Sequence, residues 1–189
     1  MVNSIDEILP EYDFAEWHAI TISAPEPIVF EKVLTLDLRR SLVIRTLFAL
    51  RSLPGIFNGR DPSRQSLGLT MDALLKSGFI LLAQLPNREI VLGLAGRFWT
   101  ACGDIQEMEP DAFREFNQPG FAKAVWNFSL HPIPGGTNLR TETRVRCLDG
   151  LSRRKFARYW RIVRPFSGWV RMEALKVIKT SAEKAKEAT

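Results

Sequence analysis

The chain has 189 residues, of which 46% are hydrophobic and 25% charged, a composition typical of a globular domain. No apolar run approaches the roughly 20 residues that a membrane-spanning helix needs. The acidic start MVNSIDEILPEYDF also lacks the basic and apolar regions of a secretory signal. We therefore predict one cytoplasmic domain over residues 1–189, with an irregular lead-in over 1–13 and a frayed tail over 182–189.

The first half of the chain predicts one strand followed by short helices. Alternation of apolar residues predicts a strand over Trp17–Ser23, with His18, Ile20 and Ile22 on one face. Proline at the start of a helix costs little, because the first amides have no partner within the helix. The helices and loop predicted after this strand are a helix from Pro25 or Pro27 to about Leu36, a helix over 41–52 with Ser41 as N-cap, a loop over 56–66, and a helix over 71–77 capped by Thr70.

Two apolar runs follow, over 79–85 and 89–99, and the link Pro86-Asn87-Arg88 predicts a tight hairpin between them. Both runs are apolar at nearly every position. Such strands are covered on both faces, or face helices on one side and a cavity on the other. Gly93 and Gly96 indicate a bend or a close approach. A short helix is then expected from Pro110 to about Asn117.

The last third predicts a strand pair, over 121–133 and 138–147, followed by a long helix from about Ser152. The residues predicted to share a water-facing side of the second strand are Arg140, Glu142, Arg144 and Arg146. The apolar stripe predicted on the helix is Phe156, Tyr159, Trp160, Val163, Val170, Ala174, Val177 and Ile178. Pro165 and Gly168 predict a kink or short break near 164–168. This order predicts an α+β fold in which a curved antiparallel sheet grips the long C-terminal helix, with short helices between the first and second strands.

Residues 140–164 form a basic strip, with nine Arg or Lys against Glu142 and Asp149 within a chain of net charge +5. Such a strip fits nucleic acid or an anionic lipid surface, or it is a solvated outer face. We favour the solvated face, because we see no aromatic residue interleaved on the same side. Cys102 and Cys147 have no CxxC spacing, so they are predicted to be reduced, buried thiols. No metal or cofactor is expected.

The order of elements resembles the START-like, polyketide cyclase-like superfamily with its helix-grip fold. The segments GFILLAQLPNREIVLGLAGRFW, GFAKAVWNFSL and LRTETRV are similar to a family of uncharacterised small bacterial proteins in that superfamily. The resemblance covers residues 14–180 and implies a cavity between the sheet and the long helix. Superfamily members bind lipids, sterols, polyketides or plant hormones there, and a minority are enzymes. The cysteine and histidine ligands of the iron–sulfur oxygenase branch do not occur in this sequence.

The sequence contains no GxSxG, HExxH, P-loop, GxGxxG or paired CxxC motif, so we assign no catalytic residue. His18 is the one acid or base that the strand pattern places toward the cavity, where it is a polar lining group or a satisfied core histidine. His131, beside Pro132 at a strand end, is not expected to be catalytic. Glu142 is expected to form ion pairs with Arg140 and Arg144.

The pattern and the resemblance together predict binding of a small, mostly apolar molecule, lipid-like or polyketide-like, in the cavity. The predicted lining residues are His18, Leu92, Leu94, Trp126, Phe128, Phe156, Trp160 and Val163. Two alternatives stay open, namely a cyclase or aldol-type enzyme that uses the same cavity and a surface module that uses the basic strip. Nucleic acid is not expected as a partner, and oligomerisation is left open. Arg97, beside Phe98 and Trp99, either steers an anionic ligand or stacks on a ring.

Overall fold

The computed structural model describes residues 4–36, 71–76, 78–100 and 103–188. Ten elements follow one another along these residues. They are α1 (Ser4–Ile8), β1 (Phe14–Ile22), α2 (Glu26–Leu34), α3 (Met71–Lys76), β2 (Ile80–Leu85), β3 (Glu89–Gly96), α4 (Pro110–Glu115), β4 (Ala122–Ile133), β5 (Gly136–Cys147) and α5 (Gly150–Glu187). The helix predicted over 41–52, the loop over 56–66, the cap Thr70 and the thiol Cys102 lie outside the described residues.

The five strands form one open antiparallel sheet in the order β1-β5-β4-β3-β2. The sheet is curved, and with α5 and the short early helices it gives the predicted α+β fold. Proline and glycine end the strands as expected, since Gly135 adopts a φ of +85° in the turn between β4 and β5. A Cβ at Gly93 would lie 2.6 Å from the Leu82 side chain, which confirms the close approach predicted there.

Asp149 is the N-cap of helix α5, and its carboxylate accepts hydrogen bonds from the backbone amides of Leu151 and Ser152 and from the Ser152 hydroxyl. Its carboxylate also accepts a hydrogen bond from the backbone amide of Gly120. These hydrogen bonds hold the pKa of Asp149 well below its usual range; the bond from the Ser152 hydroxyl has the largest effect, and the bonds from the backbone amides add to it. The helix continues without interruption through Pro165, so of the predicted kink or short break near 164–168 the break does not occur.

The N-terminal residues are not an irregular lead-in, because Ser4–Ile8 form α1. Ile5 and Leu9 are fully or almost fully buried against the outer face of the sheet, the face opposite α5. The prediction of a water-facing side for β5 is therefore wrong at Glu142 and Arg144, which are buried. The alternation places these charged residues on one face of β5 as predicted, but it does not show that α1 covers that face.

A large apolar core lies between α2, α5 and the inner face of the sheet, the face toward α5. Its fully buried members include Val29 from α2, Phe128 and Leu139 from the sheet, and Leu175 from α5. Burying each such side chain contributes about 1.5–3 kcal/mol, which makes this core the main attachment of α5 to the sheet. The polar residues described next lie against the middle of α5, at Gly168 and Arg171.

Candidate functional site

Two polar side chains of β1 face α5. Glu16 and His18 are two residues apart on the strand and therefore share its inner face. A Cβ built at Gly168 of α5 would lie 2.5 Å from Glu16 Oε1 and 3.3 Å from His18 Nε2. Gly168 is thus the position that lets the helix pass over these two groups, which explains a glycine in the middle of a long helix, where it is otherwise unfavourable.

A charged group from α5 meets Glu16 on this face. Arg171 Nη1 lies 3.6 Å from Glu16 Oε2, and each side chain is only 11% exposed. Arg164 Nε lies 3.8 Å from the same oxygen, but its side chain is 62% exposed. Burial lowers the pKa of Arg171, and the charge of Glu16 opposes that shift. The inner face therefore holds a carboxylate and a guanidinium that are both largely removed from water.

His18 extends this pair toward the core. Its Nε2 lies 3.1 Å from Glu16 Oε1. An ionised carboxylate only accepts hydrogen bonds, so Nε2 is the donor in this contact. Thr143 of β5 is the register partner of Glu16, which places the two side chains next to each other on the inner face. We call Glu16, His18, Thr143 and Arg171 the inner polar cluster.

Three atoms of the inner polar cluster are buried without a hydrogen-bond partner in the described part of the chain: Glu16 Oε2, Thr143 Oγ1 and Arg171 Nη1. Buried polar atoms are nearly always paired in folded proteins, so each such atom asks for an explanation. The other two such atoms are the Nε atoms of Arg97 and Arg140. Those two guanidinium groups stack over the rings of Phe121, at 4.4 Å, and Trp17, at 4.8 Å. Among the residues that the structure describes, only the inner polar cluster combines buried acceptor and donor atoms that lack hydrogen bonds.

The outer face of the same strands carries a second charged network, and there the hydrogen bonds are made. Glu142 accepts from Arg144 Nε at 2.7 Å and from Arg140 Nη2 at 2.8 Å, which confirms the predicted ion pairs. Arg144 also donates to the Asp6 carboxylate at 2.6 Å and to the Leu9 carbonyl at 3.3 Å. This network attaches α1 to the sheet and has a structural explanation. In the inner polar cluster, by contrast, Glu16 and Arg171 form an ion pair at 3.6 Å but no hydrogen bond joins them.

Five of the residues predicted to line a cavity fall into two clusters. Leu92, Trp126 and Phe128 belong to the large core, where the indole of Trp126 donates to Thr141 Oγ1 at 2.6 Å. Phe156 and Trp160 pack together near the start of α5, with ring centroids 5.7 Å apart.

The remaining predicted lining residues lie as follows. Leu94 and Val163 are half-buried, and His18 lies in the inner polar cluster. The described contacts therefore do not join the predicted residues into one apolar wall. Their role in ligand binding stays a prediction.

Sequence reasoning found His18 but missed Glu16, Thr143 and Arg171. Glu16 was lost because the first strand was predicted to begin at Trp17, whereas it begins at Phe14. Its spacing of two from His18 was the signal that could have found it. Arg171 lies outside the basic strip over 140–164 and was not singled out, although it lies seven residues before the buried Ile178 and so on the inward side.

Other sequence candidates have ordinary surroundings. His131 is exposed at the end of β4, with Nε2 3.3 Å from Ser129 Oγ. Arg97 stacks on Phe121 rather than on its neighbours Phe98 and Trp99. In the described ranges no three His, Cys, Asp or Glu side chains are grouped as metal ligands. Nor does any helix in those ranges combine the length and apolar character needed to cross a bilayer.

Comparison with known proteins gives little further information. No protein-family model and no curated protein matches the chain. The chain is similar to a solved structure of an uncharacterized protein from Rhizobium leguminosarum, at 13% sequence identity and a TM-score of 0.39. That match covers 90% of this chain and 97% of the other. At this TM-score the similarity supports no conclusion about fold or function.

Proposed function

We propose that the protein binds a small, mostly apolar molecule between the inner face of the sheet and α5, with a polar group of that molecule held by the inner polar cluster. The observation that carries this proposal is the set of three buried atoms without partners, Glu16 Oε2, Thr143 Oγ1 and Arg171 Nη1. Binding sites of this kind are largely apolar and contain a few convergent polar groups. The resemblance to the START-like, polyketide cyclase-like superfamily supports the same location.

The chemistry of the three atoms narrows the polar group. Glu16 Oε2 can only accept a hydrogen bond, whereas Arg171 Nη1 can only donate one. Thr143 Oγ1 can do either. A ligand carboxylate would be repelled by Glu16, and an amine would be repelled by Arg171. A hydroxyl or phenol both donates and accepts, so it satisfies the cluster without adding a charge. We therefore propose an apolar alcohol or phenol, which includes sterol-like and polyketide-like molecules.

A second candidate function is a cyclase or aldol-type reaction on the same bound molecule. It is favoured by the contact between His18 Nε2 and Glu16 Oε1, which holds the ring in place; in this candidate mechanism Nδ1 of the neutral ring is the base. Such an enzyme abstracts a proton from carbon next to a carbonyl group. The variant His18→Gln separates binding alone from binding followed by reaction. If His18 is the base, this variant should abolish turnover of a bound substrate and leave the affinity for that substrate within about threefold.

Native mass spectrometry of gently purified protein tests the binding proposal. We expect a copurified adduct whose extracted molecule carries a hydroxyl or phenol on an apolar skeleton. Thr143→Val removes only the hydroxyl while keeping the shape of the side chain. It should lower adduct occupancy by roughly fivefold or more, because the hydroxyl of the bound molecule then loses one of its hydrogen-bond partners.

Thr21→Val is the matched control, since Thr21 is an exposed threonine of the same sheet, in β1. It should retain the adduct. Equal occupancy in wild type and Thr143→Val, or an adduct with no hydrogen-bonding group, would place the ligand elsewhere. Absence of any adduct, together with no saturable binding across a library of apolar alcohols and phenols, would contradict the proposed function itself.

A further inference from the structure

Helix α5 carries an apolar stripe on the side turned away from the sheet. Ile162, Phe166 and Trp169 are spaced i, i+4 and i+7, and their exposed fractions are 70%, 50% and 46%. Leu151, three helical turns before Ile162, lies on the same side and is 53% exposed. From Leu151 to Trp169 the stripe is about 27 Å long at a rise of about 1.5 Å per residue. Large apolar side chains exposed along one line are typical of a binding surface.

Basic side chains surround this stripe. Lys155 and Arg158 lie seven and four residues before Ile162 and therefore on the stripe itself. Arg154 and Arg161 directly precede Lys155 and Ile162 and lie along one edge of the stripe. All four are exposed, and none forms an ion pair with another residue that the structure describes. Over residues 150–172 the helix has seven Arg or Lys and no Asp or Glu.

This arrangement changes the interpretation of the basic strip. The solvated-face interpretation of residues 140–164 depended on finding no aromatic residue on the same side, and the exposed Phe166 and Trp169 lie just past the end of that strip. They were overlooked because the apolar pattern of the helix was assigned to one inward stripe. The outward side has exposed apolar residues of its own, Leu151, Ile162, Phe166 and Trp169, with the basic Lys155 and Arg158 between the first two.

We propose that the outer side of α5 docks on an anionic membrane surface, with Ile162, Phe166 and Trp169 entering the headgroup region and the surrounding basic residues contacting anionic lipids. A helix with a basic polar region and large apolar side chains binds membranes in this way, and tryptophan favours the membrane–water interface. Nucleic acid fits less well, because Leu151 and Ile162 cannot stack on bases. A second copy of the chain also fits less well, since a two-fold contact would bring the same basic patch against itself.

Cosedimentation with vesicles tests this docking independently of any ligand in the interior. Wild-type protein should bind vesicles of equal parts phosphatidylcholine and phosphatidylserine, and it should bind pure phosphatidylcholine at least tenfold more weakly. Each basic residue near an anionic surface strengthens binding by roughly fivefold, so Arg154→Glu with Arg158→Glu should weaken binding by roughly 25-fold or more. Lys76→Glu with Lys184→Glu changes the net charge equally at exposed lysines outside the stripe and should change binding by less than threefold.

Insertion of the apolar stripe has a separate readout. Bromine-labelled acyl chains should quench tryptophan fluorescence in the wild type, and this quenching should fall strongly in Trp169→Phe. Phe166→Ser with Trp169→Ser should lose most vesicle binding while keeping the wild-type melting temperature within a few degrees, since both side chains are half exposed.

Several results would overturn the proposal. The first is no binding to anionic vesicles by the wild type. The second is equal loss in the two charge-reversed proteins. Two others are stronger binding to RNA than to vesicles that depends on Arg154 and Arg158, and a concentration-dependent dimer abolished by Phe166→Ser with Trp169→Ser.

Discussion

The pair formed by Glu16 and Arg171 can be replaced by apolar residues, and the effect on stability separates a structural role from a binding role. At 3.6 Å between Nη1 and Oε2 the attraction is about 5 kcal/mol if the effective dielectric constant is about 20. Removing two charges from water costs several kcal/mol for each ion. The two terms nearly cancel, so we expect the pair to contribute little net stability to the fold.

The expected results form a double-mutant cycle. Glu16→Leu and Arg171→Met should each lower the free energy of unfolding by about 3–5 kcal/mol, because each leaves one buried charge without its partner. The double variant should return to within about 1 kcal/mol of the wild type, or exceed it by up to about 4 kcal/mol. Urea denaturation midpoints at unchanged slope measure all three differences.

The matched control is the outer pair. Glu142→Leu with Arg144→Met should stay destabilised by about 1–3 kcal/mol, because the Leu9 carbonyl and the Asp6 carboxylate then lose the donor they share. The reasoning is refuted if the inner double variant is as unstable as the sum of its single variants. It is also refuted if the outer double variant regains as much stability as the inner one, since the two pairs would then not differ in their structural role.

Phe156→Ala should cost about 3–5 kcal/mol in chemical denaturation, because Phe156 is 2% exposed among other aromatic rings, whereas Trp160→Ala should cost less because Trp160 is only half-buried. Burial raises the pKa of Cys147 to about 12, and the charge of Asp13 adds to this effect. In a Cys102→Ser variant, the Cys147 thiol should therefore resist alkylation at neutral pH, and rapid labelling would contradict this. Asp149 has a lowered pKa in the folded state, so its contribution to stability is present above the unfolded value of about 3.9 and is lost as pH falls through the folded value. Melting temperatures of the wild type and Asp149→Ala should therefore differ at neutral pH and converge in strong acid, and a difference independent of pH would show that the carboxylate charge is not involved.

The sequence predicted the fold well because its patterns are local. Alternation in β4 and β5, the turn at Gly135, and the apolar period of α5 each follow from neighbouring residues, and they agree with the observed strands and helix within a few positions. The close approach at Gly93 was predictable for the same reason. The packing of α1 on the outer face of the sheet, by contrast, depends on contacts between residues more than one hundred positions apart, such as Arg144 with Asp6.

The site was predicted only in part, because it depends on which polar residues face inward. Periodicity assigns a face with confidence to apolar residues, whereas a charged residue at an inward position is read as exposed. Glu16 and Arg171 are such residues, and each explains the burial of the other. Only their juxtaposition in space shows that two charges at opposite ends of the chain form one group.

The most direct test of the proposed site is a fluorescence titration with naphthol and with its methyl ether, which has the same apolar rings but cannot donate a hydrogen bond. We expect saturable binding of naphthol with one site per chain. The ether should bind roughly tenfold or more weakly, because Glu16 Oε2 would stay buried without a donor. The double variant Glu16→Leu with Arg171→Met should bind both probes with equal affinity. Equal affinity of the two probes for the wild-type protein, or no saturable binding of either, would contradict the assignment of the inner polar cluster as the binding site.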